Sequence, residues 1–423
     1  MHKRIVRKDG SVIILLPQKE TKAITFEVLY KVGSRQENDK NNGASHFVEH
    51  LMFKGTDKRP DTASISKELD GIGAEYNAFT GKDHTGYYIK ADSSHLPLAV
   101  EMLSDMLHNS KFEKTEIDRE RGVIIEEINM YEDNPLMYIE DVFENLLYQD
   151  TPLGRLIAGP RDNIRNITRN SLYNYYQKYY YSGNSVIAVA GNFKEQQVLK
   201  LIDKFFPIVK TKTRVRNIQT KPKLQQAPRV TILSRNGLEQ VQLNLGWRSV
   251  AKNDPKFLVS QVLANVLGGT MSSRLFLQIR ERRGLCYFIK AVASGYEDIS
   301  SFAIHAGLNK DKIYEALQAI KDELNKLKND GIGIEELRHA KDNMRGRLIL
   351  KLEDINTQLN FISGQELLEK KIRDLEQLLI DLEKVTLKQI NNLASEIISW
   401  PKANLAIIGS FTNKNKFLNI LNK

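Results

Sequence analysis

The sequence predicts an α+β protein of two homologous domains from an internal duplication, each a mostly antiparallel sheet flanked by helices. Three observations predict it. Short runs that alternate apolar and polar residues, such as Thr25 to Val32, are separated by longer stretches with helical apolar spacing, such as Leu96 to Leu107. The segment SVIAVAGNFKEQQVLKLI, starting at Ser185, returns in order and spacing as NLAIIGSFTNKNKFLNIL, starting at Asn404. The strand-then-helix unit of Thr85–Leu107 is likewise repeated at Phe302–Gly307 and Ile313–Leu327. At 423 residues the chain is too long for one ordinary core. A basic, proline-containing stretch supplies the cut: residues 1–208, a linker 209–228, and residues 229–423.

Taken in order, the opening reads as a hairpin. Arg4–Val6 and Ser11–Leu15 flank Lys8-Asp9-Gly10, and Asp-Gly between apolar runs is a strong turn signal. Thr25–Val32 follows as a strand, Gly33–Gly43 as polar loop, and then a helix with Phe47, Val48 and Leu51 for its buried side, ending near Gly55. A helix through Ile65–Leu69 precedes two strands, Ala74–Thr80 and Thr85–Ala91, about a tight polar turn. A long helix starts near Thr115 with Ile117, Ile124, Ile128 and Tyr131 as its core stripe. The chain stays aromatic and helical to Tyr181, forms a buried strand at Ser185–Ala190, and closes the half with a helix to Phe206. The second half opens with strands at Val230–Leu233 and Val241–Trp247 and has its own long helix at Ile334–Leu352.

Composition narrows the function classes. The chain is 41% hydrophobic and 27% charged, the balance of a globular protein, with no run long enough to span a bilayer. Near the N-terminus only Val12–Leu16 is apolar, too short for a signal-peptide core. The net charge of +10 is spread over scattered lysines, and the one dense basic segment, Val209–Arg229, reads as a connector. With no recognition motif beside it, neither nucleic acid nor a membrane is expected as a partner. The single cysteine, Cys286, excludes an internal disulfide and a Cys-based zinc site, and fits a reducing cytoplasm.

The chemistry gathers in Gly43–Thr56, GASHFVEHLMFKGT. On a helix, His46, Glu49 and His50 share one face, because positions three and four apart are neighbours. Two imidazoles one turn apart can share a Zn²⁺, and the carboxylate beside them can take the proton of a metal-bound water. The order H-x-x-E-H is the inverted zinc-peptidase motif. A third ligand is expected on the long helix, where Glu120, Glu126 and Glu127 are available. At about 100° per residue, Glu126 falls opposite the core stripe and should face solvent. Glu120 and Glu127, seven apart, both border the buried face, so either qualifies. In the second half the counterpart of HFVEH is FLVSQVLANVLGG, which has no histidine. Gly268-Gly269 there lacks the lysine and spacing of a phosphate loop.

HFVEHLMFKGT, NAFT with HTGYY, ERGVIIEEINMYEDNP and SSRLFLQIRERRGLCY, in that order along most of the chain, resemble the pitrilysin/insulinase zinc peptidases. The nearest type resembles bacterial relatives of the mitochondrial processing peptidase. The resemblance implies one Zn²⁺ per chain on His46, His50 and Glu127, with Glu49 as general base and Glu120 orienting a ligand imidazole. It implies that Asn77 and Ala78 belong to a strand edge that takes the substrate backbone as an added strand. Arg280 and Tyr287 match the family's Arg/Tyr pair, placed to hold charge on the scissile carbonyl. In the family that pair faces the zinc domain of another half. A chain of this length is one half, so a homodimer with composite active sites is the simplest expectation; a heterodimer with a related chain is the alternative. The expected activity is zinc-dependent endoproteolysis of unfolded peptides or presequence-like segments inside a closed chamber. A non-catalytic scaffold or substrate-binding subunit is the competing reading, and the intact zinc motif and Arg/Tyr pair argue against it.

Overall fold

The computed structural model describes residues 2–208, 214–369 and 371–422; the first part of the predicted linker, 209–213, lies outside the described residues. The first half runs β1 (Lys3–Val6), β2 (Val12–Pro17), β3 (Ala23–Tyr30), α1 (Ala44–Leu51), α2 (Thr62–Asp70), β4 (Glu75–Thr80), β5 (Thr85–Asp92) and α3 (Leu96–Asn109). It continues with α4 (Lys114–Asp133), α5 (Pro135–Leu147), α6 (Arg161–Asn166), α7 (Arg169–Tyr179), β6 (Ser185–Gly191) and α8 (Glu195–Phe205). The second half runs β7 (Arg229–Ser234), β8 (Gln240–Ser249), α9 (Lys256–Gly268), a π-helical turn at Phe276–Glu281, β9 (Cys286–Gly295) and β10 (Ser300–Asn309). Then come α10 (Ile313–Asp330), α11 (Ile334–Lys351), α12 (Ile355–Leu368), α13 (Leu375–Glu383), α14 (Leu387–Ile397), β11 (Asn404–Gly409) and α15 (Lys414–Asn422).

The sheets carry the duplication. The first has the order β1-β2-β6-β3-β5-β4 and the second β7-β11-β8-β10-β9. Apart from the added β1, the two orders coincide when β2, β6, β3, β5 and β4 are set against β7, β11, β8, β10 and β9. In each, one pair is parallel, β2 with β6 and β7 with β11, and the remaining pairs are antiparallel. The fold is α+β with mostly antiparallel sheets, as the alternation of strand and helix patterns predicts. The opening hairpin forms as read, with Gly10 at φ +85° in its turn.

The chain divides into two compact units that are not continuous in sequence. One comprises residues 1–129, 155–218 and 351–373; the other comprises 130–154, 219–350 and 374–423. The sheets thus fall on either side of the 209–228 stretch, while α12 belongs with the first sheet and α5 with the second. Apolar packing accounts for both placements. In the first unit Leu359 and Leu367 of α12 lie against Val12, Ile14, Leu16, Leu29, Val186 and Ala188. Hydrogen bonds link Asn356 to Thr25, Ser363 to Glu27 and Glu366 to Arg4 along the same helix. In the second unit Ile139, Phe143 and Leu147 of α5 pack on Ile299, Ala303, Ala406 and Ile408.

Candidate metal centre

The site is built on α1, and its entry is fixed by backbone geometry. Gly43 precedes the helix at φ +102°, and a Cβ there would meet the Ala158 carbonyl oxygen and Ile164 Cδ1 at 2.7 Å, so only glycine fits. The carboxylate of Glu37, buried, accepts from the Gly43 amide at 2.9 Å, the Ser45 amide at 2.7 Å and the Asn42 side chain at 2.8 Å. This places an acid on the amides that a helix start leaves unpaired. Phe47, Val48 and Leu51 then enter the core, with Ser45 bonded to the Tyr175 hydroxyl at 2.7 Å. His46, Glu49 and His50 are left on the side that α4 approaches.

On α4, Ile117, Ile124 and Ile128 are buried in the same core. Glu120 and Glu127 border that stripe, while Glu126 is exposed and bonds Asn129. Nε2 of His46 lies 3.6 Å and Nε2 of His50 3.4 Å from the same oxygen, Oε2 of Glu127. Donor atoms of the three residues all lie within 4.8 Å of one another. Zinc bonds of about 2.0–2.1 Å in a tetrahedron put neighbouring ligand atoms roughly 3.3 Å apart, and the two separations to Glu127, 3.6 and 3.4 Å, lie close to that edge. The donors fit the metal.

The electrostatics also call for a cation. The imidazole of His50 would be disfavoured as a cation by burial, but hydrogen bonds to Glu120 and Glu127 and the charge of Glu49 hold its pKa up at about 9. His46 is driven below the usual range by burial and by its neighbour His50. Glu127 is held below the ordinary carboxylate range by its hydrogen bond to His50. Three carboxylates face two imidazoles, and a proton on His50 supplies the positive charge that a metal otherwise would.

Glu49 is mostly buried, which raises its pKa, and its Oε2 accepts the Thr80 hydroxyl at the end of β4. Burial with a single fixed hydrogen bond gives a carboxyl poised to exchange a proton. Glu120, only 2% exposed, bonds His50 Nδ1 at 3.1 Å with Oε2 and Lys54 Nζ at 2.8 Å with Oε1. With zinc bound in place of the second proton, Glu120 would keep the remaining proton on Nδ1 and leave the Nε2 lone pair for the metal. Asn77 and Ala78 lie on β4, the edge strand of the first sheet, and the Asn77 side chain accepts from the Ala78 amide at 2.8 Å.

Five of the residues singled out in the sequence are therefore brought together: His46, Glu49, His50, Glu120 and Glu127. Arg280 and Tyr287 stand in the other unit. Arg280 belongs to the π-helical turn, its guanidinium 4.6 Å from the Phe276 ring centre, and Tyr287 on the edge strand β9 is 56% exposed. Cys286 is buried, and burial pushes its thiol up to about 11, so it behaves as a small apolar group. Sequence reasoning missed Thr80 and Lys54. Thr80 gives no local signal; Lys54 does, since it follows His50 at the four-residue interval that separates the two histidines.

Known proteins resemble this chain along most of its length. Residues 12–161 match the family described as insulinase (peptidase family M16), and residues 166–344 match the peptidase M16 inactive domain. The Bacillus subtilis protein YmxG, described as an uncharacterized zinc protease, is 33% identical over 98% of this chain and 99% of its own length. A protease from Helicobacter pylori has the same fold, with a TM-score of 0.88 at 24% identity over 96% of this chain and 99% of that one. The periplasmic protease PqqL from Escherichia coli matches with a TM-score of 0.83 at 21% identity, over all of this chain and 50% of that one. With a relative this similar along nearly its entire length, and His46, Glu49, His50 and Glu127 all inside the residues matched to the first family description, the chain belongs to the insulinase family of peptidases, family M16.

Proposed function

We propose that the protein is a zinc metalloendopeptidase acting on unfolded peptides or presequence-like segments. The single observation that carries this is the convergence of His46, His50 and Glu127 on one point, with Glu49 beside it. Zinc held there supplies Lewis acidity, polarising a carbonyl and making a water easier to deprotonate near neutral pH. Glu49 takes the proton from the attacking water and returns it to the leaving amine, while Thr80 holds its other oxygen. The outer edge of β4, with Asn77 and Ala78, is where an extended peptide adds as a strand.

In the same proposal Arg280 and Tyr287 reach the site from a second copy of the chain, making a homodimer with composite sites and a chamber that admits only extended substrates. That this whole chain matches half of PqqL supports pairing of two chains. A heterodimer with a related chain is the alternative arrangement, and sedimentation of the purified protein alone distinguishes the two. A cytoplasmic location goes with this reading, supported by the single buried cysteine; among the described residues no helix is long and apolar enough to cross a membrane.

The test is cleavage of a quenched-fluorescent basic peptide by the purified chain with and without a zinc chelator. Cleavage that the chelator abolishes and added Zn²⁺ restores supports the proposal. A zinc-loaded homodimer that cleaves nothing would favour the scaffold reading.

A further inference from the structure

We propose that Lys54 is a positioning residue for the metal: its ammonium anchors Glu120, and Glu120 fixes His50 in the tautomer and orientation that bind zinc. The proposal rests on the metal-site reading above and deepens it.

Three observations carry it. His46, His50 and Lys54 follow one another at intervals of four, and Lys54 sits in the turn leaving α1, its amide bonded to the Leu51 carbonyl at 3.1 Å. The lysine therefore rides on the same rigid element as the two histidines. Its Nζ takes one oxygen of Glu120 at 2.8 Å, while the other oxygen goes to His50 Nδ1 at 3.1 Å. The carboxylate cannot rotate away from the imidazole without breaking the ion pair as well. Finally, Glu120 is almost wholly buried, where a carboxylate oxygen left without a partner is costly. With the lysine removed, Glu120 would seek a new partner at the expense of the His50 bond.

The two histidines differ in this respect. Nδ1 of His46 is buried with no hydrogen-bond partner among the described residues. His50 is thus the ligand whose ring is held from behind, and Lys54 is the far end of that support. A lysine that merely balanced a buried acid would affect the stability of the fold and leave zinc affinity unchanged, so the two roles separate experimentally.

The experiment is a double-mutant cycle in zinc affinity, measured by chelator competition on the full chain with Lys54→Met, Glu120→Gln and the pair. Loss of an outer-shell partner costs about 10- to 100-fold in metal affinity. The expected result is a Kd raised about tenfold or more by Lys54→Met, a similar or larger rise for Glu120→Gln, and no further rise in the double variant. Lys54→Arg should restore most of the affinity, and circular dichroism should show each metal-free variant folded. A Lys54→Met Kd within twofold of wild type, or losses that multiply in the pair, overturns the proposal. So does a Lys54→Met chain that fails to fold, since the lysine would then serve the fold. Wild-type protein that binds no zinc at all overturns the metal-site reading, and this inference with it.

Discussion

The two sheets are copies, and the two helices laid on them at the corresponding step are not. In the first unit α1 follows β3 and carries His46, Glu49 and His50; in the second α9 follows β8 and carries Ser260, Val262 and Leu263, all buried. The strand registers make the comparison residue by residue. Ala188 of β6 lies opposite Glu27, and Ala406 of β11 lies opposite Asn244, so Glu27 and Asn244 hold the same position in their sheets. Beyond them stand Tyr88 on β5 and His305 on β10. Strand order and pairing survived duplication because apolar residues on both faces specify them. Polar groups at matched positions diverged, because each needs only its own local partners.

The sharpest test of that contrast is to remove the one acid that sets α1 apart. Glu49→Gln is expected to lower kcat by about 10³-fold while zinc content, measured by atomic absorption, stays at that of wild type. Retained turnover in this variant would mean that the chemistry does not reside in the helix that distinguishes the two copies.

The helix covering each sheet offers a comparison of stability. Phe143→Ala on α5 should cost about 3–5 kcal/mol and Leu359→Ala on α12 about 2–4 kcal/mol, both through cavities in well-packed clusters. Both tryptophans, Trp247 and Trp400, belong to the second unit. Tryptophan fluorescence in a urea titration should therefore register Phe143→Ala directly, while Leu359→Ala should appear chiefly in circular dichroism.

Glu27 in the first sheet and His305, the strand neighbour of its counterpart Asn244 in the second, predict opposite responses to pH. Glu27 is 1% exposed, and burial, partly offset by its bond to Ser363, lifts its pKa from 4.5 to about 7. The folded first unit therefore binds more protons than the unfolded one across that window. The stability this contributes is full below pH 4.5 and is lost as pH rises through 7, a loss on the order of 3 kcal/mol. His305 is 6% exposed, and burial with the nearby Lys290 holds it at about 4 instead of 6.5. Here the unfolded state binds more protons, so stability is full above 6.5 and falls as pH drops toward 4, by a similar amount. Melting curves of Glu27→Gln and His305→Gln across pH 4–8 check this: each substitution should flatten its own limb and leave the other unchanged.

The smallest effect is expected at Thr80, whose hydroxyl bonds Glu49. Thr80→Val should reduce kcat about tenfold with KM little changed, and Thr80→Ser should recover most of it, if the hydroxyl serves to hold Glu49. A change in KM alone would place Thr80 in substrate binding.

How much of this was legible follows from the range of each interaction. The opening hairpin, the duplication and the cluster HFVEH are local patterns, read from neighbours on one strand or helix. Glu127 was narrowed by the helical wheel to one of two acids, because Ile117, Ile124 and Ile128 define the buried side of α4 within a few turns. The insertion of β6 between β2 and β3 was not legible, since pairing partners far apart in sequence leave no mark in either strand. Nor was the assignment of α5 and α12: an apolar helix face says that something is covered, and not which sheet. Thr80 failed for the same reason, as it acts on a carboxylate from another element, whereas Lys54 carried the interval of the two histidines but gave no sign of its partner Glu120 on α4.

The exchange of those helices has a consequence for how the protein is made. The face of the first sheet formed by Val12, Ile14, Leu16, Val186 and Ala188 is complete once Gly191 has been translated, yet its cover, α12, begins only at Ile355. At about 5–20 residues per second, the growing chain exposes that apolar surface on the ribosome for roughly 10–30 seconds. A gene cut after residue 208 would release a domain permanently in that state, so the first half expressed alone should aggregate or recruit chaperones, and adding residues 351–373 in trans should rescue it.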